Sequence, residues 1–315
     1  AIAVATGRAA EMGLLFRKGT ALEALARADT VVLDKTGTLT RGKPTLVRVL
    51  PFGLSQEEAL RLAAALERGS EHPLAKAVLE AAESLPQAQA EEVRALPGEG
   101  VEGRVEGRRL HLGGPALMER LGVPLPEEAK ALPEEGYTPL YLVEGTRLLA
   151  AFAVFDPPRP EAQEAVAALK ALGLKLVLLT GDHPAPARRV AEALGIPEVL
   201  AGVRPEGKVE AIRRLQAEGR KVVFVGDGIN DAAALAQADV GLAMGSGTDI
   251  ALEAGDVVLL TPDLRGVVNA VRLARRTLRT IYLNFFWAYA YNVVLIPVAA
   301  GALYPFTGLL LNPML

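Results

Sequence analysis

The segment Asp34-Lys35-Thr36-Gly37-Thr38-Leu39-Thr40 follows directly on the apolar run Thr30-Val31-Val32-Leu33. An aspartate that ends a buried strand, with a cation, hydroxyls and a glycine behind it, reads as a mount for a nucleophile. The strand holds the carboxylate still and the glycine turn leaves room for a phosphate. Three more polar clusters share this setting. Thr180-Gly181-Asp182 ends the run Leu174–Leu179, Lys208 lies near the start of a helical stretch, and Asp227 to Asp231 follow the run Lys221–Val225. Phosphoryl transfer asks for this inventory: a nucleophile, donors for phosphoryl oxygens, a cation for developing charge, and carboxylates for a divalent metal. Mg2+ needs only a few oxygen ligands and keeps several waters, so Asp34, Asp227 and a backbone carbonyl would suffice. Taken singly, each cluster also fits a helix cap or a strand-end turn; their joint occurrence at strand ends favours chemistry.

Those clusters need a parallel sheet to carry them. From residue 153 to 260 helical and strand patterns alternate. Helices are predicted over Arg159–Leu172, Ala185–Leu194 and Pro205–Glu218, and strands over Leu174–Leu179, Lys221–Val225, Val240–Ala243 and Val257–Leu260. Glycine stops and a proline start bound the helices. Such alternation implies a doubly covered parallel sheet with ligands at the carboxyl ends of its strands. Residues 45–152 differ. Ser55-Gln56-Glu57-Glu58 is a capping box for a helix to about Glu67, Ser70–Pro73 opens a second helix, and Val101–Leu112 alternates around Glu106-Gly107 as a hairpin would. This is an α+β unit inserted into the α/β one, with hinges at Arg41–Pro44 and Asp156-Pro157-Pro158.

Charge and composition remove other classes. A net charge of −3 and a pI near 5.8 argue against nucleic acid as a partner. The absence of cysteine excludes thiolate metal sites, disulfides and a cysteine nucleophile. Gly98 to Gly103 fits a dinucleotide fingerprint in spacing, but a hairpin follows instead of a helix, and no P-loop pattern occurs. The run Ile281–Leu303 carries no charge; as a helix it extends roughly 34 Å, enough for a hydrocarbon layer of about 30 Å. A buried helix in a soluble core is the alternative. Arg265, Arg272, Arg275, Arg276 and Arg279 precede the run and put its N-terminal end in the cytoplasm. Tyr291 and Asn292 sit near its middle, where polar groups face an ion path or hydrogen-bond a neighbouring helix.

The motif set resembles the P-type ATPases, and the insert resembles their heavy-metal, copper-transporting branch. The resemblance implies a haloacid-dehalogenase-like α/β phosphorylation domain (27–44 and 153–264) and an inserted α+β nucleotide-binding domain (45–152). Further expectations are a cytoplasmic extension of a preceding membrane helix (1–26), a linker helix (265–280), a transmembrane helix (281–303) and the start of another (308–315). By the same resemblance Asp34 is the phosphorylated aspartate, with Lys35, Thr180, Gly181, Lys208 and Asp231 around it. Asp34, Thr36 and Asp227 would hold Mg2+, and Glu71, His72, Gly98 and Gly100 would contact ATP; His72-Pro73 also fits a plain helix start. Tyr291 and Asn292 would meet transported copper(I). The chain is then expected to be a fragment, the catalytic half of an integral membrane pump with cytoplasmic catalytic domains. Its expected partners are ATP, copper(I), membrane lipid, a copper chaperone, and an actuator domain and further membrane helices of the same protein. Three residues depart from the family pattern: Gly114, His183 and Ala233. A capped soluble phosphohydrolase shares the four clusters, but it needs an acid where Thr36 stands and leaves Ile281–Leu303 unexplained. A membrane-anchored nucleotide sensor without catalysis is a third class, recognised by nucleotide binding with no phosphoenzyme.

Overall fold

The computed structural model describes residues 2–70, 73–228, 231–244 and 255–301. The chain opens with α1 (Ile2–Glu11), β1 (Leu14–Phe16), α2 (Thr20–Arg27) and β2 (Thr30–Asp34). It then enters the insert: β3 (Thr45–Pro51), α3 (Gln56–Glu67), α4 (Pro73–Ala81), β4 (Ala90–Leu96), β5 (Gly100–Val105), β6 (Arg108–Gly113), α5 (Pro115–Leu121), α6 (Glu127–Lys130), β7 (Thr138–Glu144) and β8 (Arg147–Phe155). It returns through α7 (Ala162–Ala171), β9 (Lys175–Leu179), α8 (Pro184–Leu194), β10 (Glu198–Leu200), α9 (Gly207–Ala217), β11 (Val222–Asp227), α10 (Ala232–Gln237), β12 (Val240–Met244) and β13 (Val257–Leu259) to α11 (Arg265–Ala299).

Seven strands form one sheet in the order β1-β13-β12-β11-β2-β9-β10, parallel except for the edge strand β1. Residues of period two explain its two cores. Val31 and Leu33 of β2 face α7, α11 and the N-terminal helices, with Leu176, Leu178, Val223 and Val225 beside them. Val32, Val177, Leu179, Val222 and Phe224 point the other way, onto Ile212 and Leu215 of α9 and Leu235 of α10. A strand buried on both faces reads as an unbroken apolar run, which is why these three were legible as strands.

The insert is a six-stranded antiparallel sheet, β3-β8-β7-β6-β5-β4, with α3 and α4 on one face and α5 and α6 on the other. The Ser55 hydroxyl accepts the Glu58 amide at 3.1 Å, as the capping box requires. Glu106 and Gly107 join β5 to β6 with φ of 53° and 78°, the two left-handed residues of a type I′ hairpin. The last strand of this sheet runs to Phe155, three residues beyond the expected boundary at 152.

Differences from expectation lie at the ends and edges. Residues 1–26 are not one extension of a membrane helix: α1 ends at Glu11, and Leu14–Phe16 pairs with β13 as a sheet edge. The expected linker and membrane helices are a single uninterrupted helix, α11. Its first part is buried through Val267, Val271 and Ala274, and from Tyr282 onward most of its large side chains are exposed. It closes at Ala299, with Gly301 in the left-handed region at φ 92°. The expected helix start at 308–315 lies outside the described residues.

Candidate active site

β11, β2 and β9 are adjacent and parallel, so their carboxyl ends form one platform. Asp34 ends β2 opposite Leu179, which puts Thr180 one residue beyond it on the neighbouring strand; Asp227 ends β11 on the other side. The residues after Asp34 turn sharply. Thr36 (φ −76°, ψ 121°) and Gly37 (φ 80°, ψ −6°) have type II turn geometry, and the second position demands glycine. The Thr40 amide donates to the Lys35 carbonyl at 2.9 Å, and its hydroxyl donates to Asp156 Oδ2 at 2.6 Å. Arg159 locks the turn from behind: Nε donates to the Thr38 carbonyl at 2.8 Å, and a second nitrogen reaches the Pro262 carbonyl at 3.1 Å, just before α11.

Lys208, in the first turn of α9, bridges two carboxylates. Its Nζ lies 2.8 Å from Asp231 Oδ1 and 3.2 Å from Asp34 Oδ2. Asp231 Oδ2 in turn accepts the Asp227 amide at 3.1 Å. Lys35 is committed elsewhere, in a close ion pair with Asp182. The Asp182 amide donates to Thr180 Oγ1 at 3.1 Å, which folds the Thr180-Gly181-Asp182 turn on itself. Burial pushes the Asp34 carboxyl up to about 8, and the hydrogen bond and charge of Asp231 add to this; Lys208 pulls the other way. Burial alone would lower the Lys208 ammonium, but Asp34 and Asp231 together hold it above the usual lysine range.

This balance bears on a divalent cation. One lysine serves two buried carboxylates, and burial together with the Asp231 carboxylate raises the nucleophile candidate against that single cation. The donors are hard oxygens at the ends of neighbouring strands. Among the described residues no group of three or more acids or histidines gathers for a dedicated cage. A few carboxylates with room for water suit Mg2+, so the residues present fit it.

A cleft of about 940 Å3 runs between the two units. The insert contributes Glu67, Gly98, Gly100 and Gly114 to its wall, and the other unit contributes Gly181, Asp182 and His183. Gly98 (φ 74°) needs glycine for its backbone, and Gly100 for lack of space: a Cβ there would sit 2.1 Å from the Leu112 carbonyl oxygen. Burial pushes the Glu67 carboxyl up to about 7. Glu71 and His72 lie outside the described residues.

Asp34, Lys35, Thr36, Thr180, Gly181, Lys208, Asp227 and Asp231 are thus brought to one end of one sheet. Gly98 and Gly100 sit on the cleft that opens there. Tyr291 and Asn292 are elsewhere, exposed on the unpacked part of α11. Sequence reasoning missed Asp156 and Arg159 as parts of the loop's support, and Glu67 on the cleft; the Pro-Pro hinge before Arg159 was the one available signal. His183, one of the three departures from the family pattern, caps α8, its Nδ1 accepting the Ala185 amide at 3.4 Å.

The haloacid dehalogenase-like hydrolase family matches residues 28–239. Copper-transporting ATPase 1 of Rhizobium meliloti is 50% identical over 100% of this chain and 39% of its own length. The copper-exporting P-type ATPase of Legionella pneumophila is 43% identical over 100% of this chain and 43% of its own length. Among solved structures, a zinc-transporting PIB-type ATPase in an E2.Pi state superposes with a TM-score of 0.74 at 40% identity, over 96% of this chain and 50% of that one. The chain spans about two fifths of the length of the curated relatives it matches.

Proposed function

Since the chain belongs to the haloacid-dehalogenase-like hydrolases, in the branch of the heavy-metal P-type ATPases, we propose that it carries the ATP-driven phosphorylation step of a copper(I) pump, with Asp34 as the residue phosphorylated. A carboxylate oxygen of Asp34 attacks the γ-phosphorus of ATP, the bond to the β,γ-bridging oxygen breaks, and ADP leaves with the electron pair. Lys208 holds the attacking carboxylate and meets charge on the transferred group. The Thr180 turn supplies donors to the phosphoryl oxygens. Asp34, Asp227 and the Thr36 carbonyl would hold Mg2+, which neutralises phosphate charge when bound. No acid stands at Thr36 to activate water, so the acyl-phosphate persists long enough to drive a conformational change.

The observation that carries this reading is the shared cleft. Gly181 and Asp182, from the turn beside Asp34, line the same cavity as Gly98 and Gly100 of the insert. A nucleotide lying along it would reach from the glycine turn of the insert to the Gly181-Asp182 turn beside the nucleophile. The test is incubation with γ-labelled ATP and Mg2+, then acid quench. Acid-stable label that hydroxylamine removes is expected; label in free phosphate alone, with p-nitrophenyl phosphate used as well as ATP, would favour a capped phosphohydrolase.

Two variants test the parts. Glu67→Ala removes a half-buried carboxyl from the cleft wall and is expected to weaken ATP binding about tenfold by calorimetry, with the maximal phosphorylation rate retained. Gly226→Ala acts at a distance from ATP. A Cβ there would come within 2.8 Å of Asp231 Oδ2 and 2.6 Å of the Phe224 ring. It should cost about 1–3 kcal/mol in urea unfolding and, by displacing Asp231, slow phosphorylation roughly a hundredfold.

Copper(I) as cargo is supported by the Tyr291-Asn292 pair in an apolar helix without lysine and by the copper-transporting relatives. A copper chaperone is the donor this reading implies, with α11 in the membrane and the two catalytic units in the cytoplasm. The zinc-transporting structural neighbour supports zinc as a second reading. Copper(I)-stimulated phosphoenzyme turnover that Asn292→Ala abolishes would favour the first; stimulation by zinc alone would favour the second.

A further inference from the structure

A groove of about 450 Å3 opens where α11 leaves the body of the protein. Its floor is apolar, from Leu278, Leu283 and Phe286, and its rim carries the guanidinium groups of Arg275 and Arg279. Tyr282 forms one wall and is fixed there by Arg27, which reaches its hydroxyl and lies 6.0 Å from its ring centroid. Arg275 spends one nitrogen on the Leu172 carbonyl at 2.6 Å. Among the described residues, Arg276 and Arg279 make no ion pair. From Leu264 to Leu315 the sequence holds no acid at all.

We propose that this groove binds the phosphate headgroup of an anionic membrane phospholipid, with the guanidinium groups on the phosphate and the first acyl carbons on Leu278, Leu283 and Phe286. The inference rests on the reading that α11 enters a membrane. Three observations select this occupant. The apolar stretch Ile281–Ala299 rises about 28 Å as a helix, so Arg279 and Tyr282 fall at the headgroup level of a bilayer with about 30 Å of hydrocarbon. Among the described residues the rim guanidinium groups of Arg275 and Arg279 have no ion-pair partner, and the Glu23 carboxylate on α2 is paired with Arg27 at 3.1 Å, so the rim keeps the positive charge an anionic headgroup needs. Floor and rim together match an amphiphile, whereas a free phosphate would leave the exposed Phe286 and Leu283 in water.

Trp287, the one tryptophan of the chain, adjoins Phe286 with ring centroids 5.7 Å apart and reports on the groove. The chain is placed in phosphatidylcholine bilayers with added phosphatidylglycerol, either lipid carrying brominated acyl chains that quench tryptophan. Brominated phosphatidylglycerol should quench Trp287 well beyond its mole fraction. The excess should weaken about fivefold for each arginine replaced in Arg275→Gln and Arg279→Gln, and survive in Arg279→Lys. It should fall as salt rises from 0.05 to 0.5 M and resist soluble glycerophosphoglycerol, which separates a lipid from a free phosphate. Quenching by both lipids in proportion to mole fraction, or an excess indifferent to the arginine variants, would overturn the proposal and leave the membrane helix intact. Quenching by neither would remove the membrane reading itself. Phosphorylation of the variants by ATP without lipid serves as the folding control, and an unchanged rate is expected.

Discussion

Asp34→Asn is expected to abolish the acid-stable, hydroxylamine-labile label from γ-labelled ATP while ATP still binds. The change removes one charge and little volume. The amide oxygen can still accept from Lys208, so the platform of strand ends should survive, and calorimetric ATP affinity should change by less than about threefold. An amide is not a nucleophile toward phosphorus; label persisting in this variant would remove the assignment. The same substitution should stabilise the metal-free protein. In the folded state Asp34 is pushed up to about 8, whereas an exposed aspartate ionises near the ordinary value of 3.8. Between those values the folded state holds a proton that the unfolded state has lost, so stability falls as pH rises through that window. Asparagine has no proton to lose. Its advantage should therefore be small near pH 4, grow with pH, and level off above about 8 at roughly 1–3 kcal/mol. Thermal unfolding of both proteins in chelator across that range tests this, and equal melting temperatures at every pH would contradict it. Dead chemistry combined with higher stability is the signature of a charge held under stress for function.

Much of the site was legible because its groups stand where regular elements end. A doubly buried strand reads as an apolar run, and the polar residue that stops it is already on the platform; Asp34, Thr180 and Asp227 were found that way. Lys208 and Asp231 were legible from motif and helix start, but not that one lysine would bridge two carboxylates, which depends on where α9 crosses the sheet. Arg159 was invisible for a related reason. Its ligands are the carbonyls of Gly37, Thr38 and Pro262, and backbone oxygens leave no trace in side-chain spacing. Glu67 ends α3 as an ordinary surface residue would, and its place on the cleft wall shows only in the fold. β1 and β10, three residues each, are too short for period-two alternation, and both are sheet edges that depend on a partner strand. The continuity of α11 was missed because a change of composition at Arg279 looked like a boundary. It marks a change of surroundings, from protein packing to exposure, along one unbroken helix.

Lys208→Met tests the electrostatic half of the mechanism. Methionine keeps the length and most of the volume of the lysine stem, so α9 should still pack on the sheet through Ile212 and Leu215. What goes is, among the described residues, the one ammonium within hydrogen-bond distance of both Asp34 and Asp231. Two effects then point the same way. Lys208 is what draws the Asp34 carboxyl down against burial and the Asp231 charge, so without it the nucleophile is protonated over more of the pH scale. The transferred phosphoryl group also loses a cation where charge builds up; a preorganised donor of that kind is worth about a hundred- to a thousandfold in rate. The expected result is a fall of about that size in phosphoenzyme formation. The rate should recover more steeply with rising pH than in the unmodified chain, because more base is needed to ionise Asp34. Lys208→Arg, with a planar guanidinium in place of a point charge, should regain only part of the loss. A variant slowed equally at all pH values would mean that the lysine contacts the phosphoryl group alone and does not set the ionisation of Asp34.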